Sequence, residues 1–306
     1  MIPPLSLQYM TAAAGICRLT QIPKNCILKT VGAAICRQRA TISRPYILNE
    51  VNIMLFDTHA HMNDPVFDID REEILQNLPQ EGIRLLMNPG CNLENSLQAI
   101  ALAEQYPYIY AAVGSHPDSA DEVNEEVIDR YRQLCRHEKV KAIGEIGLDY
   151  YYEDISREVQ KKAFIMQMEL AQETGLPVII HEREAHQDGM DIVASFPKIT
   201  GVFHCYSGSA EMARQLVNKG WYIGFTGVLT FKNARKAVET AAAIPLERIV
   251  LETDCPFMAP EPFRGLRNTP AYLYRMAEKL AEIKNLPVEE IQRITTENGK
   301  RLYRID

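Results

Sequence analysis

The sequence predicts an α/β chain folded as a (β/α)8 TIM barrel, with a metal centre at the C-terminal rim of its strands. Three observations point there. Eight short β-rich runs alternate with helical patterns, the signature of parallel βα units. The alternation occupies roughly 250 residues, the span one such barrel takes up. Histidines or carboxylates stand at the ends of most of the runs, where barrel active sites lie.

In chain order the first run is IMLFDTHA (53–60), which delivers His59 and, one step beyond, His61. The helical pattern DREEILQNLP (70–79) separates it from IRLLMNPG (83–90), and LENSLQAIALAEQY (93–106) leads to IYAAVGSHP (109–117), which ends on His116. After EEVIDRYRQLCRHE (125–138) comes VKAIGEIGLDY (140–150) with Glu145. SREVQKKAFIMQMELAQETG (156–175) then precedes LPVIIHER (176–183), which carries His181. GVFHCYSG (201–208) presents His204 and is followed by SAEMARQLVNKG (209–220). WYIGFTGVLT (221–230) is the seventh run, and RIVLETDCP (248–256) the eighth, with Asp254. Helical stretches at 271–284 and 288–302 finish the chain. A doubly wound open sheet is the rival arrangement, but no GxGxxG follows the first strand.

Composition narrows the function. The chain has 306 residues, 46% hydrophobic and 24% charged, an ordinary globular balance. No apolar run approaches the ~18 residues of a membrane span. Residues 1–53 hold six basic residues against one acid, so the formal net charge of −7 leaves residues 54–306 with twelve more acids than bases. A body this acidic disfavours wrapping long duplex DNA, while leaving room for a local grip on one or two phosphates. The seven cysteines (17, 26, 36, 91, 135, 205 and 255) show no CxxC spacing, which suggests reduced thiols and a cytoplasmic protein.

The first 53 residues look foreign to the rest: basic, acid-poor and without periodicity. They read as a disordered or non-native extension upstream of a start at Met54, with a transit peptide as the alternative. The expected boundary therefore separates 1–53 from a barrel domain at 54–306.

The strand-end residues form one set. Side chains alternate along a strand, so Asp57, His59 and His61 share a face, while Cys205 and Cys255 turn away toward the helices and drop out of the ligand set. Taken singly, each histidine reads as a hydrogen-bonded structural residue, Glu145 as a salt-bridge partner and Asp254 as a cap. Four histidines and two carboxylates in one barrel mouth are costly to bury unless a cation sits among them.

FDTHAH (56–61), GSHP (114–117), GEIGLDY (144–150), PVIIHERE (177–184), FHCYSG (203–208), LETDCP (251–256) and RGLRNTP (264–270) together give the chain its resemblance to the TatD family of metal-dependent deoxyribonucleases, a branch of the amidohydrolase barrels. The resemblance implies two divalent ions. One would take His59, His61, Glu145 and Asp254, and the other Glu145, His181 and His204, with Glu145 bridging. Some relatives in the wider superfamily place a modified lysine there, but no lysine ends strand four here. The chain departs from the family at Asp118, where many members carry a second histidine, and at Glu182, where a small residue is expected.

Mixed imidazole and carboxylate donors suit Zn, Mn or Co, and in a looser site Mg. The expected reaction is hydrolysis of DNA phosphodiester bonds, at ends or in single strands, by a water activated between two ions, with Asp254 as general base. Asp57 and Glu252 are read either as orienting the histidines or as buried ion-pair partners. His116, Arg183 and Arg264 are assigned to the substrate phosphate, against the simpler reading of the arginines as surface salt bridges. His137 and His186 are expected on helices away from the mouth. Tyr150, Tyr151 and Tyr152 are placed to stack a base, and Trp221 at the opposite end of the barrel. A small-molecule or acyl-ester hydrolase, such as a lactonase or aminoacyl-RNA deacylase, is the alternative for the same site. A barrel that binds metal or a partner without catalysis is the third reading. No membrane or obligate protein partner is expected.

Overall fold

Eight strands, β1 (Leu55–Asp57), β2 (Ile83–Pro89), β3 (Ile109–Val113), β4 (Val140–Asp149), β5 (Val178–Arg183), β6 (Gly201–Phe203), β7 (Tyr222–Phe225) and β8 (Ile249–Leu251), pair in parallel in chain order. The helices are α1 (Arg71–Asn77), α2 (Leu93–Gln105), α3 (Glu125–Leu134), α4 (Arg157–Thr174), α5 (His186–Ser195), α6 (Ala210–Asn218), α7 (Arg235–Ala243), α8 (Leu273–Lys284) and α9 (Val288–Tyr303). Parallel neighbours in sequence order with a helix between each pair make the (β/α)8 barrel that the sequence predicts. This computed structural model describes residues 54–152 and 154–306, so the expectations for 1–53 lie outside the described residues.

Helix starts are written locally. Asn92, Asn124, Ser156 and Ser209 each accept the backbone N–H three residues on, which satisfies a free donor at the start of α2, α3, α4 and α6. Gly175, at φ 71°, ends α4 in the left-handed conformation that glycine adopts without strain.

The barrel interior takes one side chain from each strand: Phe56, Met87, Ala112, Ala142, Ile179, Val202, Tyr222 and Val250. Leu302, Tyr303 and Ile305 close it from below. Residues of opposite parity, among them Leu86, Ile143, Ile180, Phe203 and Leu251, pack outward in the larger core that the helices cover. His59 and His61 lie past the end of β1 and off the parity of Phe56. On strands three, five, six and eight this interior layer sets the direction of the functional side chains above it. Two steps on from it lie Gly114 and then His116 on strand three, His181 and Arg183 on strand five, His204 on strand six, and Glu252 and Asp254 on strand eight. On β4 the register shifts between Ile143 and Ile146, and Ile146 and Leu148 face outward. The shift turns Glu145, Gly147 and Asp149 to the interior side.

The ladder runs from β1 round to β8, and the β8–β1 seam closes differently. Thr58 donates both its N–H (3.2 Å) and its hydroxyl (3.0 Å) to Leu251 O. Above that, Asp254 N reaches His59 O at 2.9 Å, and His61 N reaches Cys255 O at 2.9 Å. Helix α9 braces the seam from outside, where buried Asn298 donates to Leu246 O (2.8 Å) and Ile249 O (2.6 Å). Tyr303 Oη donates to Thr58 O at 3.0 Å. Among the described residues no helix is long and apolar enough to cross a membrane, and all four cysteines are free.

Candidate metal centre

Glu145 is the hub of the site. Its Oε1 lies 2.7 Å from His204 Nε2 and 2.8 Å from His181 Nδ1, and its Oε2 lies 3.2 Å from His59 Nε2 and 3.4 Å from His61 Nε2. The ring nitrogens come as facing pairs: His59 Nε2 and His61 Nε2 are 3.0 Å apart, and His181 Nδ1 and His204 Nε2 are 3.3 Å apart. Asp254 Oδ1 stands beside the first pair, 3.8 Å from His59 Nε2 and 3.6 Å from His61 Nε2. His59, Glu145, His204 and Asp254 are all buried.

Two lone-pair nitrogens facing one another repel unless a proton or cation lies between them. Here each facing pair shares one oxygen of a single carboxylate. That donor set is of the kind that holds divalent metal, and Glu145 offers one oxygen to each pair.

The residues around this set fix ring orientation. Asp149 Oδ2 lies 3.1 Å from His181 Nε2, which leaves Nδ1 to face Glu145. The sequence reading passed over Asp149, although Glu145, Gly147 and Asp149 alternate on one side of GEIGLDY and so reveal it. Cys91 was also missed. It lies beyond the quoted second run, two steps after Pro89, with Sγ 3.8 Å from His61 Nδ1.

Glu252 stands behind His204, with Oε1 3.7 Å from Nδ1 and 2.5 Å from the Cys205 N–H. Gly224 opens the space for it, since a Cβ there would meet the Glu252 carboxylate at 2.7 Å. Asp57 departs from expectation. Leu55 packs outward and Phe56 inward, which puts Asp57 on the outward side; β1 ends there, and His59 and His61 turn to the centre only beyond it. Asp57 accepts Thr253 N (2.9 Å) and the Thr253 hydroxyl (2.5 Å), clasping the loop that presents Asp254 instead of holding a ring.

Burial and charge set the protonation states. Burial opposes ionisation of Glu145, yet His204, His59 and His181 hold its carboxyl well below the ordinary range. Burial likewise opposes charge on Asp254, and His61 and His204 keep its carboxyl below the usual value. His59 is pushed down to about 4, by burial first and by neighbouring His204 second. Burial pushes Glu252 up to about 8. Asp254 has φ 53°, a left-handed conformation that aspartate tolerates, fixed by its N–H on His59 O.

The other expected residues are distributed along the rim. His116 joins the cluster, with Nε2 3.8 Å from Glu145 Oε1, while its Nδ1 is held 3.0 Å from Asp118 Oδ1. The departure at Asp118 thus anchors a ring at the centre. Arg183 stacks on Tyr151 at 3.8 Å, and Arg264 on Phe231 at 3.8 Å; neither pairs with the cluster. Glu182 faces outward, pairs with His186 and accepts Ala185 N at 2.8 Å. His186 opens α5, away from the centre. His137 falls just past the end of α3, not within it, and pairs with Glu104 at 3.0 Å. Trp221 is buried against Phe203 immediately before β7.

Fold and site define a (β/α)8 barrel with a histidine–carboxylate centre suited to metal. Residues 56–304 match the model of the TatD related DNase family. The chain is 44% identical over 255 residues to the metal-dependent hydrolase YabD of Bacillus subtilis, covering 83% of this chain and 100% of that protein. It is 33% identical over 260 residues to the metal-dependent hydrolase YcfH of Escherichia coli, covering 83% and 97%. The crystal structure of YjjV, a TatD homolog from Escherichia coli, superposes with a TM-score of 0.79 at 33% identity, covering 83% of this chain and 100% of that one. The chain belongs to the TatD family of metal-dependent hydrolases.

Proposed function

We propose that this protein is a metal-dependent phosphodiesterase that shortens DNA at ends or in single strands. The observation that carries the reading is Glu145 between two facing imidazole pairs, with Asp254 beside one of them. The family description as DNases and the acidic body support DNA ends or single strands over long duplex.

The ligand set we assign is His59, His61, Glu145 and Asp254 for one ion, and Glu145, His181 and His204 for the other. Two divalent ions held there supply an acidified water and Lewis-acid polarisation of the phosphoryl oxygens. Asp254, ionised at neutral pH, accepts the proton of the attacking water. His116, fixed by Asp118, directs Nε2 toward a phosphate oxygen of the substrate. Arg183, spread over Tyr151 and 5.2 Å from Tyr152, keeps its N–H edges free for a neighbouring phosphate while the tyrosines stack a base.

The test uses metal-stripped protein reloaded with Mg2+, Mn2+, Zn2+ or Co2+ and a single-stranded oligonucleotide labelled at either end, with Asp254→Asn in parallel. Metal-dependent shortening that falls at least about a thousandfold in the variant, with its melting profile intact, is expected. Absence of cleavage by protein with both ions bound would transfer the assignment to small-molecule or acyl-ester hydrolysis.

A further inference from the structure

The rim carries a second chemical feature outside the metal centre. A cleft of about 610 Å3 opens after β7, lined among others by Thr230, Phe231, Lys232, Arg235, Glu239 and Lys279. Its wall holds three cations against one carboxylate, in a body where acids outnumber bases by twelve. Lys279 is committed to Glu282 at 2.8 Å. Lys232 and Arg235 are exposed, and among the described residues neither side chain has a hydrogen bond or ion pair. Arg264 adds a further cation, its guanidinium carbon 3.8 Å from the centroid of the Phe231 ring.

The cleft adjoins the metal centre through the loop that follows β8. Phe257, 53% exposed, stands edge-on to His61 at 6.4 Å, three residues after Asp254. The next residue, Met258, lies against the turn after β7, where a Cβ on Gly227 would meet Met258 O at 1.9 Å. Further along, Glu261 N donates to Thr230 Oγ1 at 2.8 Å at the cleft wall, and Arg264 then crosses onto Phe231. From His61 to Lys232 the surface therefore presents an open aromatic ring, a backbone seam, a stacked guanidinium and two uncommitted cations. Rings interleaved with cations match a single strand of nucleic acid, whose bases stack while its phosphates seek positive charge.

We infer that this cleft is a binding subsite for the phosphates of a single-stranded nucleic acid, lying along the strand from the bond that is cut. The inference rests on the phosphodiesterase reading and deepens it. Lys232 and Arg235 grip the strand; they touch no reacting atom. Their contribution should scale with substrate length and vanish for a diester that ends at the metal centre.

The test compares the metal-loaded full chain with its Lys232→Ala/Arg235→Ala variant and a Lys219→Ala control, since Lys219 lies before β7 at the other end of the barrel. Binding of a phosphorothioate-linked oligothymidylate is followed by fluorescence anisotropy across salt concentrations, alongside turnover of a single-phosphate chromogenic diester. Losing two phosphate contacts should weaken oligothymidylate binding about tenfold and flatten the log–log salt slope by about 1.4, at about 0.7 per contact. Turnover of the small diester should stay unchanged, and the control should match wild type. Equal affinity and slope in wild type and double variant, or an equal loss in the control, would overturn the subsite. If wild type binds the strand through these residues and hydrolyses the small diester but leaves a normally linked oligonucleotide uncut, the nuclease reading falls and the subsite stands.

Discussion

Asp149 Oδ2 lies 3.1 Å from Nε2 of His181, and the other nitrogen of that ring faces Glu145 Oε1 at 2.8 Å. Against the effect of burial, the two carboxylates raise the His181 pKa to about 9 in the ion-free ring; once a cation takes Nδ1, Asp149 is placed to hold the remaining Nε2–H. Carboxylates placed behind ligating histidines act in this way.

Asp149→Asn should invert that arrangement. The Tyr151 N–H, 2.9 Å from Asp149 Oδ1, keeps the amide oxygen on its own side. The NH2 group then points at His181 Nε2, and the ring proton moves to Nδ1, the nitrogen needed for metal. Affinity for the more weakly held ion should fall about tenfold to a hundredfold, read by calorimetric titration of stripped protein with Zn2+ or Mn2+. Unchanged affinity would remove Asp149 from this role.

Gly147→Ala should cost the fold heavily. Gly147 has φ 143°, and a Cβ there would lie 2.0 Å from His181 O, backbone that cannot move without breaking the β4–β5 ladder. The expected loss exceeds about 4 kcal/mol, seen as a collapse in soluble yield or melting temperature. A melting temperature within a few degrees of wild type would contradict the close approach.

Chelation should lower the melting temperature by about 10 °C. Ions present at about a thousand times their Kd add about 4 kcal/mol, and a barrel of this size shifts about 2–4 °C per kcal/mol. Scanning calorimetry with and without chelator measures it. Identical transitions would mean that the centre does not hold ions in the folded state.

Asp70 and Arg267 tie the loop after strand one to the loop after strand eight, through contacts of 2.9 Å and 2.5 Å, with Arg267 also on Val66 O at 2.9 Å. The guanidinium holds the Asp70 carboxyl below its ordinary value. Because the folded pKa is depressed, the stabilisation is complete above about pH 4, the usual Asp value, and is lost as pH falls through the lower folded value. The pair is partly exposed, so Asp70→Asn should cost about 0.5–1 kcal/mol at pH 7 and much less near pH 3. Urea melts at the two pH values decide it; a cost that grows on acidification would contradict the pairing.

The strand order and the clustering of the histidines and carboxylates were legible in the sequence because both follow from local pattern. Eight runs with polar residues at their ends define a rim, and alternation sends His181, His204 and Asp254 to one side. Asp149 was legible by the same parity within GEIGLDY. Cys91 escaped because strand two offers no histidine or carboxylate to draw the eye past Gly90. Asp57 was misread because parity on β1 is set by Phe56, and the strand ends at Asp57 itself. Helix α7 gave no usable stripe, since RKAVETAAA is mostly alanine and charge. The clasp of Asp57 on Thr253 joins residues 196 positions apart and depends on how the barrel closes, which no local pattern carries.

That closure ties the centre to the completeness of the chain. Strands one and eight are stitched by the segments that bear His59, His61 and Asp254. A polypeptide interrupted before Ile249 has five of the six donors, but it also has two bare sheet edges and no partner for Thr58. Its first histidines hang from a margin that nothing clasps. Ion capture then has no firm frame to act on, and exposed edges invite proteolysis or stray pairing. Only a chain that reaches β8 and its brace α9 can seal the cylinder, so ion capture should follow closure of the barrel.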